Sequence, residues 1–97
     1  EIVSAALDWL REKIRREPIG FELLPPKFTL TELQSLYEAI LQTPLDKRNF
    51  RKKLLAMSLL VPLAEKVAAG RHRPAQLFRF DPRKYRALTK RGFNFEI

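Results

Sequence analysis

An α+β fold of the winged helix-turn-helix class, with about four helices and a small antiparallel β-hairpin as its wing, is predicted by three features of the chain. Two helical patterns over residues 28–58 are joined by a short proline turn. The apolar period then changes from helical spacing to alternation over 59–81. The second of the two helices collects most of the concentrated positive charge. The 97 residues are enough for one domain with a modest core, divided into an N-terminal helix (1–17), the helix-turn-helix (28–58), the wing (59–81), and a C-terminal helix with a short strand (82–97).

In the first helix Val3, Leu7, Leu10 and Ile14 fall on one stripe, widened by Ile2, Ala6 and Trp9. Trp9 is expected at the edge of the core, in preference to an interface anchor. Basic residues crowd the helix end, where they suit its dipole, and Pro18 ends it. The connector Pro18–Lys27 is too apolar for a free linker and should be pinned across the core, with Pro25-Pro26 extended.

Phe28-Thr29-Leu30-Thr31-Glu32-Leu33 is a dense helix start. Thr29 as N-cap and Glu32 at N3 form a capping box, and Phe28 and Leu33 a hydrophobic staple. Leu30, Leu33, Leu36, Tyr37, Ile40 and Leu41 make the apolar face of this structural helix. Pro44 drives Thr43 out of the helical region, and Asp46 caps a second helix reaching about Ser58. On that helix Phe50, Leu54 and Met57 must face inward. Arg48 and Lys52 point away, Asn49 and Arg51 flank them, and Lys47 and Lys53 lie nearer the apolar edge.

Residues 59–67 are rich in strand formers, with Pro62 requiring an edge or a bulge. Residues 68–74 form a basic tip containing Arg71, His72 and Arg73, and residues 75–81 are the returning strand, with Leu77 or Phe78 inward. Asp81-Pro82 starts a short helix that turns Tyr85 and Leu88 inward and five cations outward, and Gly92 fits its C′ position. Phe93 to Ile97 alternates like a final strand that closes the edge of the wing sheet.

Composition bounds the function. A net charge of +8 calls for a polyanionic partner. There is no cysteine, which removes disulfides and thiolate metal sites, and one histidine cannot anchor a zinc centre. No run approaches the roughly 18 apolar residues of a membrane span. No nucleophile–base pair, phosphate-cradling glycine loop or metal cluster is visible, so no catalysis and no cofactor are expected of this fragment, and His72 reads as a loop histidine. The start at Glu1, with no initiator methionine and no signal-peptide pattern, suggests an excised piece of a longer, cytoplasmic protein.

The basic helix is the candidate site. On an average helix such a face is simply solvated. Here no acid follows Asp46, so the i,i+4 partners of a merely soluble helix are absent and an anion is needed to relieve the repulsion. The expected partner is double-stranded DNA, with no membrane partner. Arg48 and Arg51 have the chemistry for guanine edges and Asn49 for adenine. Lys47, Lys52, Lys53, Arg71 and Arg73 suit phosphates, and His72 shares their wing tip. RNA or an acidic membrane surface is a weaker alternative, since no exposed aromatic platform or free amphipathic face is evident.

The run from Phe28 to Leu41 (FTLTELQSLYEAIL), followed by Leu45 to Leu54 (LDKRNFRKKL), resembles the C-terminal winged-helix domain of Nudix-related transcriptional regulators of the NrtR type and of similar bacterial Nudix proteins. Leu23-Leu24-Pro25 and Pro74-Ala75-Gln76-Leu77-Phe78-Arg79-Phe80-Asp81 extend the likeness over most of the chain. The resemblance implies an N-terminal Nudix-like domain sensing ADP-ribose or a related metabolite, and a homodimer, formed through the parent protein, that releases DNA on binding it. It implies DNA contact by Arg48, Asn49, Arg51 and Lys52, with the wing tip assisting. No Nudix box occurs here, so an effector pocket or hydrolase activity belongs elsewhere. The competing reading is an accessory or dimerisation domain on an active Nudix hydrolase, because fold does not fix function.

Overall fold

The computed structural model describes residues 2–68 and 74–97. In chain order it contains α1 (Ile2–Arg16), a 3-10 helix (Pro18–Glu22), α2 (Leu30–Leu41), α3 (Lys47–Ala56), the strands β1 (Leu60–Ala68) and β2 (Pro74–Phe80), and α4 (Pro82–Lys90). The core runs from Ile14 through Phe28, Leu33 and Tyr37 to Phe50, Leu54 and Leu59, and is closed by Phe78, Phe95 and Ile97.

The helix-turn-helix is built by its caps. The Glu32 amide donates to Thr29 Oγ1 at 3.1 Å and the Thr29 amide to Glu32 Oε1 at 3.2 Å, completing the capping box of α2. Phe28 and Leu33, the staple pair, are both buried. α2 stops at Leu41 because Gln42 takes a left-handed conformation (φ 53°), the role a glycine often fills in such turns. Two polar residues of α2 then hold the turn. Glu38 accepts from the Leu45 amide at 2.7 Å, and Gln34 Nε2 donates to the Leu45 carbonyl at 3.0 Å. Asp46 accepts from the Asn49 amide at 2.8 Å and caps α3. α3 ends at Ala56, and Ser58 (φ 57°) turns the chain into β1, two residues earlier than the apolar period suggested.

β1 and β2 pair antiparallel, with Leu60 opposite Phe80 and Ala68 opposite Pro74. The register shifts between Pro62 and Lys66, so the strand bulges where proline cannot donate to the ladder. The Gln76 side chain fills that gap, donating to the carbonyls of Leu63 and Leu77. α4 is capped by Asp81, which accepts from the Lys84 amide at 3.1 Å. It ends in a Schellman turn, with the Phe93 amide on the Leu88 carbonyl and the Gly92 amide on that of Thr89, both at 3.0 Å.

The connector is pinned across the core, as its apolar content requires: Pro18 opens a 3-10 helix that buries Gly20 and Phe21, and Phe21 stacks on Phe80 at 4.5 Å. Two expectations need correction. Residues 93–97 do not form a strand. Their alternation instead buries Phe95 and Ile97 beside the end of α1, where the Ile97 amide donates to the Arg15 carbonyl at 3.0 Å. The place beside β2 goes to Phe28, which exchanges two backbone hydrogen bonds with Phe78, at 3.1 and 2.8 Å. Finally, the apolar stripe of α1 is only half used. Ile14 is fully buried and Arg11 Nε donates to the Ile40 carbonyl at 3.0 Å, whereas Ile2, Val3, Leu7 and Trp9 are exposed. Trp9, expected at a core edge, keeps 60% of its surface open, with Lys13 Nζ 5.5 Å from its ring centroid.

Candidate nucleic-acid interface

α3 is anchored from beneath and open above. Phe50 and Leu54 are buried, and the Phe50 ring lies 5.5 Å from that of Tyr37 on α2. Their spacing rotates Arg48, Asn49 and Lys52 to solvent. Lys47 and Lys53 are exposed as well. The ion pairs among the described residues join Arg11 to Asp8, Lys13 to Glu17, Arg16 to Glu12 and Lys27 to Glu65, and none reaches α3. The face therefore keeps its positive charge.

Arg51, on the flank, is held differently. It is half-buried, and its Nη2 donates to Thr31 Oγ1 on α2 at 3.1 Å. Arg71, His72 and Arg73 lie outside the described residues. Within the described part of the hairpin, Lys66 and Arg79 are exposed cations.

The residue that sequence reasoning missed is Leu55. It is 49% exposed, about two helical turns beyond Arg48 on the same outward face. The available signal was its seven-residue offset from Arg48, which excludes it from the Phe50–Leu54 stripe. It adds an exposed aliphatic side chain to the outward cations.

The face is convex. A cleft of about 720 Å³ lies elsewhere, lined by Ile19, Phe21, Leu63, Phe80 and Tyr85 with Arg79 and Arg86, and it includes no residue of α3. A dent of about 230 Å³ touches Asn49 and Lys53, less than the roughly 300 Å³ typical of the smallest ligand sites. An exposed cationic face on a two-helix support fits a long polyanion better than a small metabolite.

The comparisons with known proteins agree with this geometry. Residues 20–80 match the family model of the NrtR DNA-binding winged helix domain. The chain is 38% identical over 95 residues to a protein of Acinetobacter baylyi described as an ADPR responsive transcriptional repressor, NtrR, covering 98% of this chain and 35% of that one. Two crystal structures of Shewanella oneidensis NrtR, one complexed with a 27mer DNA, superpose with a TM-score of 0.75 at 26% identity. The alignment takes in 97% of this chain and 40% of the DNA-bound protein or 39% of the other, so the chain spans well under half the length of these relatives. Family model, relative and fold agree: the chain belongs to the NrtR DNA-binding winged helix domains.

Proposed function

We propose that this domain is the DNA-binding part of a metabolite-responsive bacterial transcriptional repressor acting in the cytoplasm, with α3 in the major groove and the hairpin along the adjacent backbone. The observation that carries the reading is the outward face of α3, where Arg48, Asn49 and Lys52 are exposed with no carboxylate paired to them among the described residues. Arg48 and Asn49 supply the planar groups that recognise guanine and adenine edges, and Lys47, Lys52 and Lys53 supply phosphate contacts. The name of the Acinetobacter relative supports ADP-ribose as the metabolite, bound by protein outside these residues. The exposed face of α1 around Leu7 and Trp9 supports a further domain packed there, in keeping with the greater length of the relatives. A homodimer of the longer protein would present two recognition helices to paired half-sites.

The test is binding to the DNA upstream of the parent gene, followed by fluorescence anisotropy over a range of salt. With about five phosphates neutralised per domain, log affinity should fall against log salt with a slope of about −4.5. Arg48→Ala with Lys52→Ala should leave the unfolding transition in place, since both side chains are exposed, and should weaken binding sharply. Binding indifferent to salt, or unaffected by the double substitution, would exclude this surface.

A further inference from the structure

Among the cations of α3, Arg51 alone is held by another helix. It lies half-buried between α2 and α3, with Nη2 donating to Thr31 Oγ1 at 3.1 Å. Its Nε is shielded from solvent and has no acceptor among the described residues. No acidic side chain pairs with it among the described residues. We propose that Arg51 is a phosphate-clamping residue that positions α3 on DNA, and not a reader of base identity. This rests on the DNA-binding reading above and says what Arg51 does within it.

A bidentate contact to guanine needs two parallel N–H groups free on one edge of the guanidinium. In Arg51 the edge carrying Nε is closed by burial, and Nη2 is already engaged. What remains is Nη1, the second hydrogen of Nη2, and the hydroxyl hydrogen of Thr31, which accepts from Arg51 and is exposed. Every one of these is a donor. Guanine's major-groove edge only accepts, as a phosphodiester oxygen does, so donors by themselves do not choose between a base and a phosphate. Position does: Arg51 is half-buried and tied to Thr31 of α2, the first helix of the pair, which in helix-turn-helix folds crosses the backbone, whereas Arg48 and Asn49 stand exposed on the outward face of α3. Arginine with a threonine hydroxyl is a common means of holding a phosphate. Because Thr31 belongs to α2 and Arg51 to α3, a single phosphate held at this corner ties both helices to the backbone. The angle at which Arg48 and Asn49 approach the bases is thereby set.

The experiment compares wild type with Arg51→Gln, Arg51→Lys and Thr31→Val on two duplexes. One is the sequence most enriched by the wild-type protein from a randomised pool, and the other is a shuffled version of it. Dissociation constants are measured across a range of potassium chloride, and the unfolding transition of each variant is recorded. Arg51→Gln should weaken binding to both duplexes by the same factor, about tenfold for one charge-assisted contact, and make the salt slope shallower by about 0.9. Arg51→Lys should restore the slope without full affinity, because lysine keeps the charge and loses the planar fork. Thr31→Val should weaken both duplexes equally with the slope retained. A loss confined to the enriched duplex would overturn the proposal in favour of base reading. A lowered unfolding transition with affinity and slope intact would reduce Arg51 to a structural brace and overturn it too. Failure of the wild type to bind either duplex would instead remove the DNA-binding reading itself.

Discussion

Replacing Tyr37 with phenylalanine deletes one oxygen from the centre of the core, and the domain should become more stable. Tyr37 is fully buried, and its hydroxyl has no hydrogen-bond partner among the described residues. An unsatisfied buried polar group costs about 1–3 kcal/mol. Against this stands the void left by the oxygen, which packs against the 3-10 helix: a Cβ at Gly20 would lie 3.0 Å from Tyr37 Cε1 and 3.3 Å from the hydroxyl. Losing one small atom from that contact offsets part of the gain, so a net stabilisation of about 1 kcal/mol is expected. For a domain of this size that corresponds to a rise of about 4–8 °C in Tm. The alkaline limb provides a second signature. Burial raises the pKa of the phenol above its ordinary value of 10.0. Above that value the unfolded chain releases the proton while the native state keeps it. The native state then binds more protons, and stability falls as pH rises, by up to about 1.4 kcal/mol per pH unit. Tyr37→Phe lacks this loss, so the gap between the two proteins should widen with pH. Urea unfolding followed by circular dichroism, near neutral pH and about one unit above the ordinary tyrosine pKa, measures both effects. A variant less stable than wild type by about 1 kcal/mol, the worth of a typical hydrogen bond, together with a gap that does not grow with pH, would refute the reasoning.

Two further substitutions test the supports of the interface. Leu54, 1% exposed, anchors α3 from below, and Leu54→Ala should cost about 2–5 kcal/mol by denaturant unfolding, with DNA affinity lost as the folded fraction falls. Gly92 (φ 95°) has open space where a Cβ would stand, with nothing within 4 Å, so Gly92→Ala should cost only the left-handed backbone penalty of about 1–2 kcal/mol. The unfolding midpoint would fall while DNA affinity at low denaturant stayed unchanged.

Local chemistry made much of this domain legible from its residues. The Thr29–Glu32 box, the Asp46 and Asp81 caps, the Pro62 bulge and the Gly92 stop all depend on neighbours within a few positions, and each took the form its residues specify. Helical angle alone sent Arg48 and Lys52 outward, because Phe50 and Leu54 leave one orientation for α3. Competition between distant segments was not legible. Alternation from Phe93 to Ile97 showed that one side of the segment is buried; that it lies against α1, with Phe28 taking the place beside β2, depends on contacts dozens of residues apart. Likewise the apolar period of α1 required a covering surface without saying that these residues supply only half of it, so Trp9 stands open. Arg51 shows the same division: its place on α3 follows from the helical repeat, but its capture by Thr31 was decided by how closely α2 and α3 approach, a distance that only packing determines.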